Sequence, residues 1–333
     1  MAISTIGTNS LSDPIAVNGY TPTASNMQPY NRIINGGFQV AQRGTSFTSG
    51  SNDDDTYNLD RWYVLSDGND IVDITQTTTV PTDAAKNSIG LDVETVDKKF
   101  GIAQIIENVN CVDAIGGAVT LSFQAKVSAT TDLDNVKCAI VAWSGTADTV
   151  TSDIISAWGV EGTNPTLIAS ATYENSPANL NVTTSFATYS VTATVDTAST
   201  TNLILFIWSD VTTTTLGDFL YITNVQLEKG STASSFAHEN YGDTLSKCQR
   251  YYQAPASTIY AMVYRGDGYQ MSMYQYPVAM RATPTSTFTW DADTGLGPTT
   301  PVATPYIWRV TTNGGNASNL NPSVTELKLS AEL

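Results

Sequence analysis

Alternation of apolar and polar residues is the feature that most limits what this chain can fold into. Residues 119–127 and 189–195 alternate strictly, which places one set of side chains on each face of an extended chain. Residues 136–143 and 202–208 are more continuously apolar, as in central strands that are covered on both faces. Residues 219–227 return to alternation. The pattern therefore predicts an all-β fold built from antiparallel strands.

The same pattern divides the chain into four segments. Residues 1–31 carry few large apolar side chains and several prolines, so we interpret them as an extended attachment arm, with a disordered terminus as the alternative. Residues 32–240 contain many short strand patterns separated by turns, which predicts a jelly-roll β-sandwich. Residues 241–253 are predicted to form a helical linker, and residues 254–333 a small antiparallel β domain.

The linker prediction depends on helical spacing. Tyr241, Leu245, Cys248 and Tyr252 lie at positions that share one face of a helix, and Asp243 is the expected N-cap. The domain that follows is expected to contain five strands, at residues 258–264, 268–276, 285–290, 305–311 and 324–330.

The string INGGFQVAQRG, residues 34–44, marks the entrance to the sandwich. Its paired glycines favour a turn, and the first strand is expected to begin at Phe38. Arg43 is expected to point outward from that strand. We interpret Arg43 and Arg61 as structural, each paired with a carboxylate that holds the first strand in register, and Asp60 is a candidate partner.

Composition excludes several classes of function. The net charge is −16 and only 14% of the residues are charged, so the surface repels phosphate backbones and nucleic acid is not an expected partner. No apolar run is long enough for membrane insertion, and no signal peptide is predicted. Three cysteines without CxxC spacing are interpreted as buried small apolar residues. A single histidine, His238, leaves little for histidine-based catalysis, and no catalytic residue is predicted.

Several strings together resemble bacteriophage tail-fibre and related virion proteins. They are NGGFQVAQRG with the following DRW, VTLSFQAK at 119–126, YITNVQLEKGSTASSF at 221–236, CQRYYQ at 248–253, PVAMRATP at 277–284 and SAEL at 330–333. The resemblance implies a jelly roll like that of a carbohydrate-binding module, assembly as a homotrimer, and a place on the exterior of a phage particle. It implies no shared catalytic residues.

Aromatic side chains are the candidate sugar contacts, because the apolar face of a pyranose stacks on an indole or phenol ring. Trp143 and Trp158 flank a loop-rich stretch, and Tyr264, Tyr269 and Tyr274 belong to a tyrosine-rich C-terminal patch. Core roles for these residues are the alternative.

An acidic loop leaves calcium open as a cofactor, and no other cofactor is expected. Asp53, Asp55 and Asp60 are weak calcium candidates, because the spacing of an EF-hand is absent. A solvated acidic loop is the favoured interpretation.

The function expected from these observations is that of a non-enzymatic virion structural protein. The favoured form is a trimeric tail fibre or fibre tip, made in the host cytoplasm, that attaches to other virion proteins through residues 1–31 and binds host surface polysaccharide. A capsid decoration protein or head fibre is the alternative. A polysaccharide depolymerase and a secreted carbohydrate-binding module are less favoured.

Overall fold

The computed structural model of the protein describes residues 31–82, 85–255, 258–264, 270–291, 298–299, 301–311 and 323–333. The predicted arm lies outside the described residues except for Asn31. No helix in the described part of the chain has the length and apolar character needed to cross a membrane.

Two antiparallel sheets form a β-sandwich between residues 46 and 229, as the alternation predicts. The first sheet has the strand order β1-β3-β4-β13-β6-β11. Its strands are β1 (Ser46–Phe47), β3 (Val72–Thr77), β4 (Ser88–Val93), β6 (Ala118–Val127), β11 (Ala187–Thr194) and β13 (Phe219–Lys229).

The second sheet has the order β10-β7-β12-β5-β2. Its strands are β2 (Tyr63–Ser66), β5 (Phe100–Ile106), β7 (Val136–Trp143), β10 (Ala171–Tyr173) and β12 (Asn202–Ser209). A short 3-10 helix (Asn108–Asn110) follows β5, and the short helix α1 (Thr130–Leu133) connects β6 to β7.

The main core lies between the two sheets. Each sheet contributes the apolar half of its alternating strands, such as Leu121 and Phe123 of β6 and Leu205 and Ile207 of β12. Burying these side chains supplies the main free energy that holds the sandwich together.

A second core covers the outer face of the second sheet. Residues 144–170, which we call the cover segment, contain the hairpin β8 (Ile155–Ala157) and β9 (Thr166–Leu167) and pack over Phe206 and Trp208 of β12. Both faces of β12 are therefore buried, which confirms the prediction for residues 202–208.

After the sandwich, helix α2 (Tyr241–Gln249) leads to a seven-stranded antiparallel C-terminal sheet. Its strands are β14 (Tyr252–Gln253), β15 (Ile259–Tyr264), β16 (Gln270–Gln275), β17 (Thr285–Asp291), β18 (Val302–Ala303), β19 (Ile307–Thr311) and β20 (Ser323–Ser330). All five strands expected from the sequence are present, and β14 and β18 are additional.

Three local predictions were wrong. No strand begins at Phe38, because this residue has a positive φ of 52° and the chain runs as irregular structure until β1. The N-cap of α2 is Asn240 in place of Asp243, and Tyr252 belongs to β14 because the helix ends three residues earlier. Arg43 does not point outward: its side chain is only 11% exposed, because it pairs with the buried Glu332.

Candidate functional site

An open groove with a cavity volume of about 370 Å³ lies on the outer face of the first sheet. Its floor is made by Ser122 and Gln124 of β6 and by Asn224 of β13. Thr188 of β11 forms one side, and residues 234–238 form the other. Pairing of β6 with both β11 and β13 brings these side chains together, since Thr188 and Thr223 both lie opposite Gln124 in the register.

A β-bulge shapes the floor of this groove. The register of β13 against β6 shifts between Thr223 and Gln226, and Asn224 adopts a positive φ of 51°. The bulge is fixed by the N-terminal motif, because the N–H of Val225 donates to the carbonyl of Gly36 at 2.9 Å. Bulges of this kind redirect a side chain out of the strand pattern.

The Asn224 side chain has one hydrogen-bonded group and one buried group without a partner. Its Nδ2 donates to Oε1 of Gln124 at 2.6 Å. The residue is only 5% exposed, and its Oδ1 is buried and has no hydrogen-bond partner among the described residues. A buried acceptor without a donor costs free energy, so the bulge is held at an energetic cost at this residue.

Side chains of β13 fix the wall of residues 234–238 by hydrogen bonds to its backbone. The N–H of Ala237 donates to Oε1 of Gln226 at 2.8 Å, and the N–H of Ser234 donates to Oε1 of Glu228 at 2.7 Å. Phe236 and His238 meet edge to face, with ring centroids 4.9 Å apart. The wall therefore presents a partly exposed aromatic ring beside the polar floor.

Sequence reasoning did not predict this groove, although the sequence contains a signal for it. The apolar positions of β13 change parity, from the even-numbered Leu220 and Ile222 to the odd-numbered Val225 and Leu227. In a regular strand such a change would move the apolar set to the other face, so it indicates an extra residue at the bulge.

The predicted sugar contacts Trp143 and Trp158 lie away from the groove. Trp158 is 8% exposed and meets Phe206 edge to face at 5.9 Å, as an anchor of the cover segment. Trp143 is partly buried against the same core, its Nε1 donates to the Thr146 carbonyl at 3.2 Å, and a Cβ at Gly145 would overlap its indole ring. Trp158 leaves little ring surface for a ligand and Trp143 is only partly buried, and the binding role of both stays a prediction.

The predicted tyrosine contacts belong to the C-terminal sheet. Tyr274 is half-buried in its core, with its ring centroid 5.7 Å from that of Tyr276. The backbone of Tyr264 lies at the end of β15, and its side chain and all of Tyr269 fall outside the described residues. A sugar site in this sheet stays a prediction.

The three calcium candidates do not form one cluster. Asp60 is fully buried and accepts hydrogen bonds from the backbone N–H and Nε2 of Gln42, at 2.5 and 2.6 Å. Burial and the nearby Asp54 and Asp153 raise the pKa of Asp55 to about 7. Within the described ranges, no group of three metal-ligating side chains could hold an ion, and calcium binding stays a prediction.

Arg43 and Arg61 are paired with carboxylates, as predicted, but the shared partner is Glu332 at the far end of the chain. Nη2 of Arg43 lies 3.0 Å from Oε1 of Glu332, and Arg61 donates to the other oxygen. Asp60 is a more distant partner of Arg43, at 3.9 Å. The arginines therefore join the sandwich to the C-terminal residues, and they do not set the register of a first strand.

The string CQRYYQ completes this contact. The guanidinium of Arg61 lies over the ring of Tyr251, and that of Arg43 over the ring of Tyr252, each 3.6 Å from the ring centroid. Three of the strings noted in the sequence thus meet in one buried junction between the sandwich and the C-terminal sheet.

The cysteines are buried thiols, as predicted. Burial raises the pKa of Cys111 and of Cys138 to about 12, which disfavours the reactive thiolate.

No protein-family model and no curated protein matches the sequence. Among solved structures, the chain is similar to the enzymatically active domain of tailspike protein 4 from bacteriophage CBA120, with 19% identity and a TM-score of 0.38. The match covers 60% of this chain and 21% of the tailspike domain, so the chain spans about a fifth of that structure.

Two carbohydrate-binding modules match with similarly low sequence identities and TM-scores. The CBM22-1 xylan-binding domain of Paenibacillus barcinonensis Xyn10C matches at 13% identity over 56% of this chain and 94% of its own, with a TM-score of 0.32. TmCBM61, in complex with β-1,4-galactotriose, matches at 13% identity over 60% and 99%, with a TM-score of 0.31. These similarities concern the general sandwich fold and do not identify a family or a function.

Proposed function

We propose that this protein is a non-enzymatic structural protein of a phage particle that binds a glycan on the bacterial surface. The observation that carries the glycan-binding part is the groove on the outer face of the first sheet, where hydroxyl and amide side chains lie beside an aromatic ring. Sugar sites combine these two elements, because a pyranose has hydroxyl donors on its edge and an apolar face of C–H groups.

The lining of the groove supports binding of a sugar without its cleavage. A glycosidase needs two carboxyl groups on either side of the scissile bond, and the groove is lined by hydroxyl, amide, imidazole and phenyl groups. A ligand held by a few hydrogen bonds and one ring contact binds weakly to a single site. Several linked copies would raise the overall avidity by orders of magnitude.

The place of the protein on a phage rests on the strings that resemble tail-fibre proteins. In this proposal the protein is a homotrimeric fibre or fibre tip, residues 1–31 attach it to other virion proteins, and the C-terminal sheet lies distal. Size-exclusion chromatography with light scattering tests the trimer, and a monomer of 35.6 kDa would contradict it. Antibody labelling of intact particles separates a tail fibre from the alternative, a capsid decoration protein or head fibre.

The glycan-binding function is tested with the full chain on an array of bacterial and plant oligosaccharides. Thr188→Trp places an indole across the groove from an exposed position, and we expect it to weaken binding at least about tenfold. Thr194→Trp is the matched control, because Thr194 is exposed on the same face of β11 and lies opposite Ala118, away from the groove.

Two results would contradict the proposal. Equal binding by both tryptophan variants would place the sugar elsewhere. New reducing ends, after incubation of the protein with host capsule or lipopolysaccharide, would identify a depolymerase.

A further inference from the structure

Strand β11 is a long edge strand without the features that usually protect an edge. It spans eight residues, whereas the other three edge strands of the sandwich, β1, β2 and β10, span two, four and three. Its register against β6 is regular from Ala187 to Thr194, without a bulge, and it contains no proline and no charged residue. Natural sheets protect their edges by shortness, bulges, proline or charge, so β11 is a site where another strand can be added.

The backbone of β11 has hydrogen-bonding groups that point away from its own sheet. Val195 donates its N–H to the carbonyl of Gly117, and its own carbonyl accepts from Gly116, both at 3.0 Å. The odd-numbered residues of this strand therefore bond toward β6. The open edge is faced by the even-numbered residues Thr188, Ser190, Thr192 and Thr194. In the part of the chain that the structure describes, their backbone groups form no hydrogen bond to another element.

The apolar side chains of β11 are incompletely covered. Tyr189 and Val191 pack against the core between the two sheets but are only partly buried, because β11 is the last strand of its sheet. A further strand on this edge would remove more of both side chains from water, which is favourable.

The residue pattern of β11 is complementary to a second copy of itself. Two β11 strands can pair antiparallel with Val191 of each copy at the two-fold axis. Ser190 then lies opposite Thr192, and Tyr189 lies opposite Ala193, so hydroxyl groups meet hydroxyl groups and apolar side chains meet apolar side chains. All four open residues of each strand are paired in this register, which gives about eight backbone hydrogen bonds.

Charges near the ends of the strand are complementary in the same register. Asp196 lies opposite position 186 of the second copy, and the Phe186 ring lies 5.4 Å from the ammonium of Lys126 on the neighbouring β6. Neither Asp196 nor Lys126 forms an ion pair within the described ranges. Two-fold symmetry would bring each Asp196 toward one Lys126 of the other copy. Elsewhere the net charge of −16 opposes the approach of a second copy.

From these observations we propose that β11 is the contact by which two copies of this chain join their first sheets into one continuous sheet. The grooves of both copies then open on the same face of that sheet, so both can engage one surface. A contact between identical strands is two-fold and cannot close a ring of three. It is therefore separate from the contact of the proposed trimer, and it does not rest on glycan binding.

The pair also adds to the side of the groove that β11 forms. Thr188 lies on that side, and pairing places Thr194 of the second copy opposite it. The tryptophan control at Thr194 is therefore measured in a chain that also carries Val191→Lys, in which this edge is free.

Val191→Lys tests the contact through the mass of the particle. In a single chain the lysine can extend from the partly exposed edge into water, whereas in the pair two ammonium groups would lie directly opposite each other. Size-exclusion chromatography with light scattering is expected to give an even number of chains for the wild type and half that mass for Val191→Lys. Val191→Thr, similar in size and uncharged, is the matched control and should keep the wild-type mass. Equal masses for the wild type and Val191→Lys would overturn the inference.

Disulfide formation tests the register without relying on the lysine variant. The two Val191 Cα atoms would lie about 4.5 Å apart, within the range of a disulfide, whereas Ser190 meets its own copy only on the diagonal, at about 7–8 Å. Under mild oxidation, Val191→Cys is expected to form a covalent dimer at least about tenfold faster than Ser190→Cys, although Ser190 is the more exposed residue. The native cysteines are buried and should not contribute. Faster linkage of Ser190→Cys, or no linkage of either variant, would overturn the proposed pairing.

Discussion

Gly36 is the residue in the N-terminal motif with the least freedom to change. A Cβ built at this position would overlap the carbonyl oxygen of Val225 and lie 3.1 Å from its carbonyl carbon, because the two backbones are joined by a hydrogen bond. A Cβ at Gly37 would meet only ordinary contacts, the nearest being Nε2 of Gln39 at 3.5 Å. Adjacent glycines that look equivalent in the sequence therefore have different roles.

This difference gives a matched pair of variants. We expect Gly36→Ala to lower the free energy of unfolding by roughly 3 kcal/mol, because the alanine methyl pushes β13 away at the bulge. Gly37→Ala should change it by less than about 1 kcal/mol. Urea unfolding followed by circular dichroism measures both values. Equal effects of the two substitutions would show that the close approach at Gly36 is not important for stability.

Asp55 gives the fold a dependence on pH. Its folded pKa of about 7 is higher than that of an unfolded aspartate, so the folded state binds more protons between about pH 4 and pH 7. The contribution of this group to stability is therefore highest below about pH 4 and declines as the pH rises to about 7. Asp92 adds to the same trend, because burial and neighbouring Glu94 and Asp73 raise its pKa to about 6.

We expect Asp55→Asn to stabilise the protein at pH 8 and to have a smaller effect at pH 4, where the aspartate is protonated in both states. The gain that depends on pH is on the order of 1 kcal/mol, because solvent screens a half-buried carboxylate. Thermal unfolding at both pH values measures it. A loss of stability at pH 8, or a calcium-induced rise in the wild-type midpoint that the variant lacks, would show that the ionised carboxylate has a partner.

At the level of whole elements, the sequence predicts the strands well and the segments that connect them poorly. Alternation or a continuous apolar run identifies β6, β7, β11 and β12, because each strand packs against the core along its whole length. The cover segment gives a misleading signal, since its buried residues Val150, Ile154 and Trp158 lie four residues apart, as on a helix, although the segment forms loops and the hairpin of β8 and β9. Their burial depends on the sheet beneath them.

Buried charges hold the cover segment in place. Nζ of Lys99 donates to the carbonyls of Val160 and Thr163, at 2.7 and 2.9 Å, and lies 2.5 Å from Oδ1 of Asp210. Lys137 pairs with the other carboxylate oxygen at 2.7 Å. Asp210 therefore compensates two ammonium groups that are almost fully buried.

Removing the negative charge of Asp210 should lower the free energy of unfolding strongly. We expect Asp210→Asn to destabilise the protein by about 3–5 kcal/mol and to speed hydrogen exchange in residues 144–170. The neighbouring lysine provides the control, because Lys98 pairs with Asp67 at the surface, where both side chains are well exposed. Asp67→Asn should cost less than about 1 kcal/mol. Similar losses for the two variants would show that the buried cluster does not hold the cover segment.

For the molecule as a whole, the last residues of the chain close the contact between the sandwich and the C-terminal sheet. The Glu332 carboxylate forms ion pairs with Arg43 and Arg61. The carbonyl of Leu333 accepts a hydrogen bond from the Tyr57 hydroxyl at 2.9 Å. Arg281 donates to the carbonyls of Ala331 and Glu332, at 3.0 and 3.1 Å. The sequence alone could not predict this junction, since no periodic pattern relates residues nearly 300 positions apart.

Because the junction is buried, the loss of one carboxylate should have a large and local effect. Glu332→Gln leaves the guanidinium groups of Arg43 and Arg61 without their shared counter-ion, and we expect hydrogen exchange in β20 and proteolysis near residues 254–258 to rise at least about tenfold. Exchange in β6 and β11, on the sandwich side, should stay nearly unchanged.

A surface carboxylate in the same strand region provides the control for this variant. Glu326 lies on β20 with its side chain 56% exposed and pairs with Lys328, so Glu326→Gln should leave exchange in β20 close to that of the wild type. If Glu332→Gln behaves like Glu326→Gln, the two sheets are held together by apolar packing alone. If it speeds exchange throughout the sandwich as well, the junction stabilises the whole molecule and the two parts unfold as one cooperative unit.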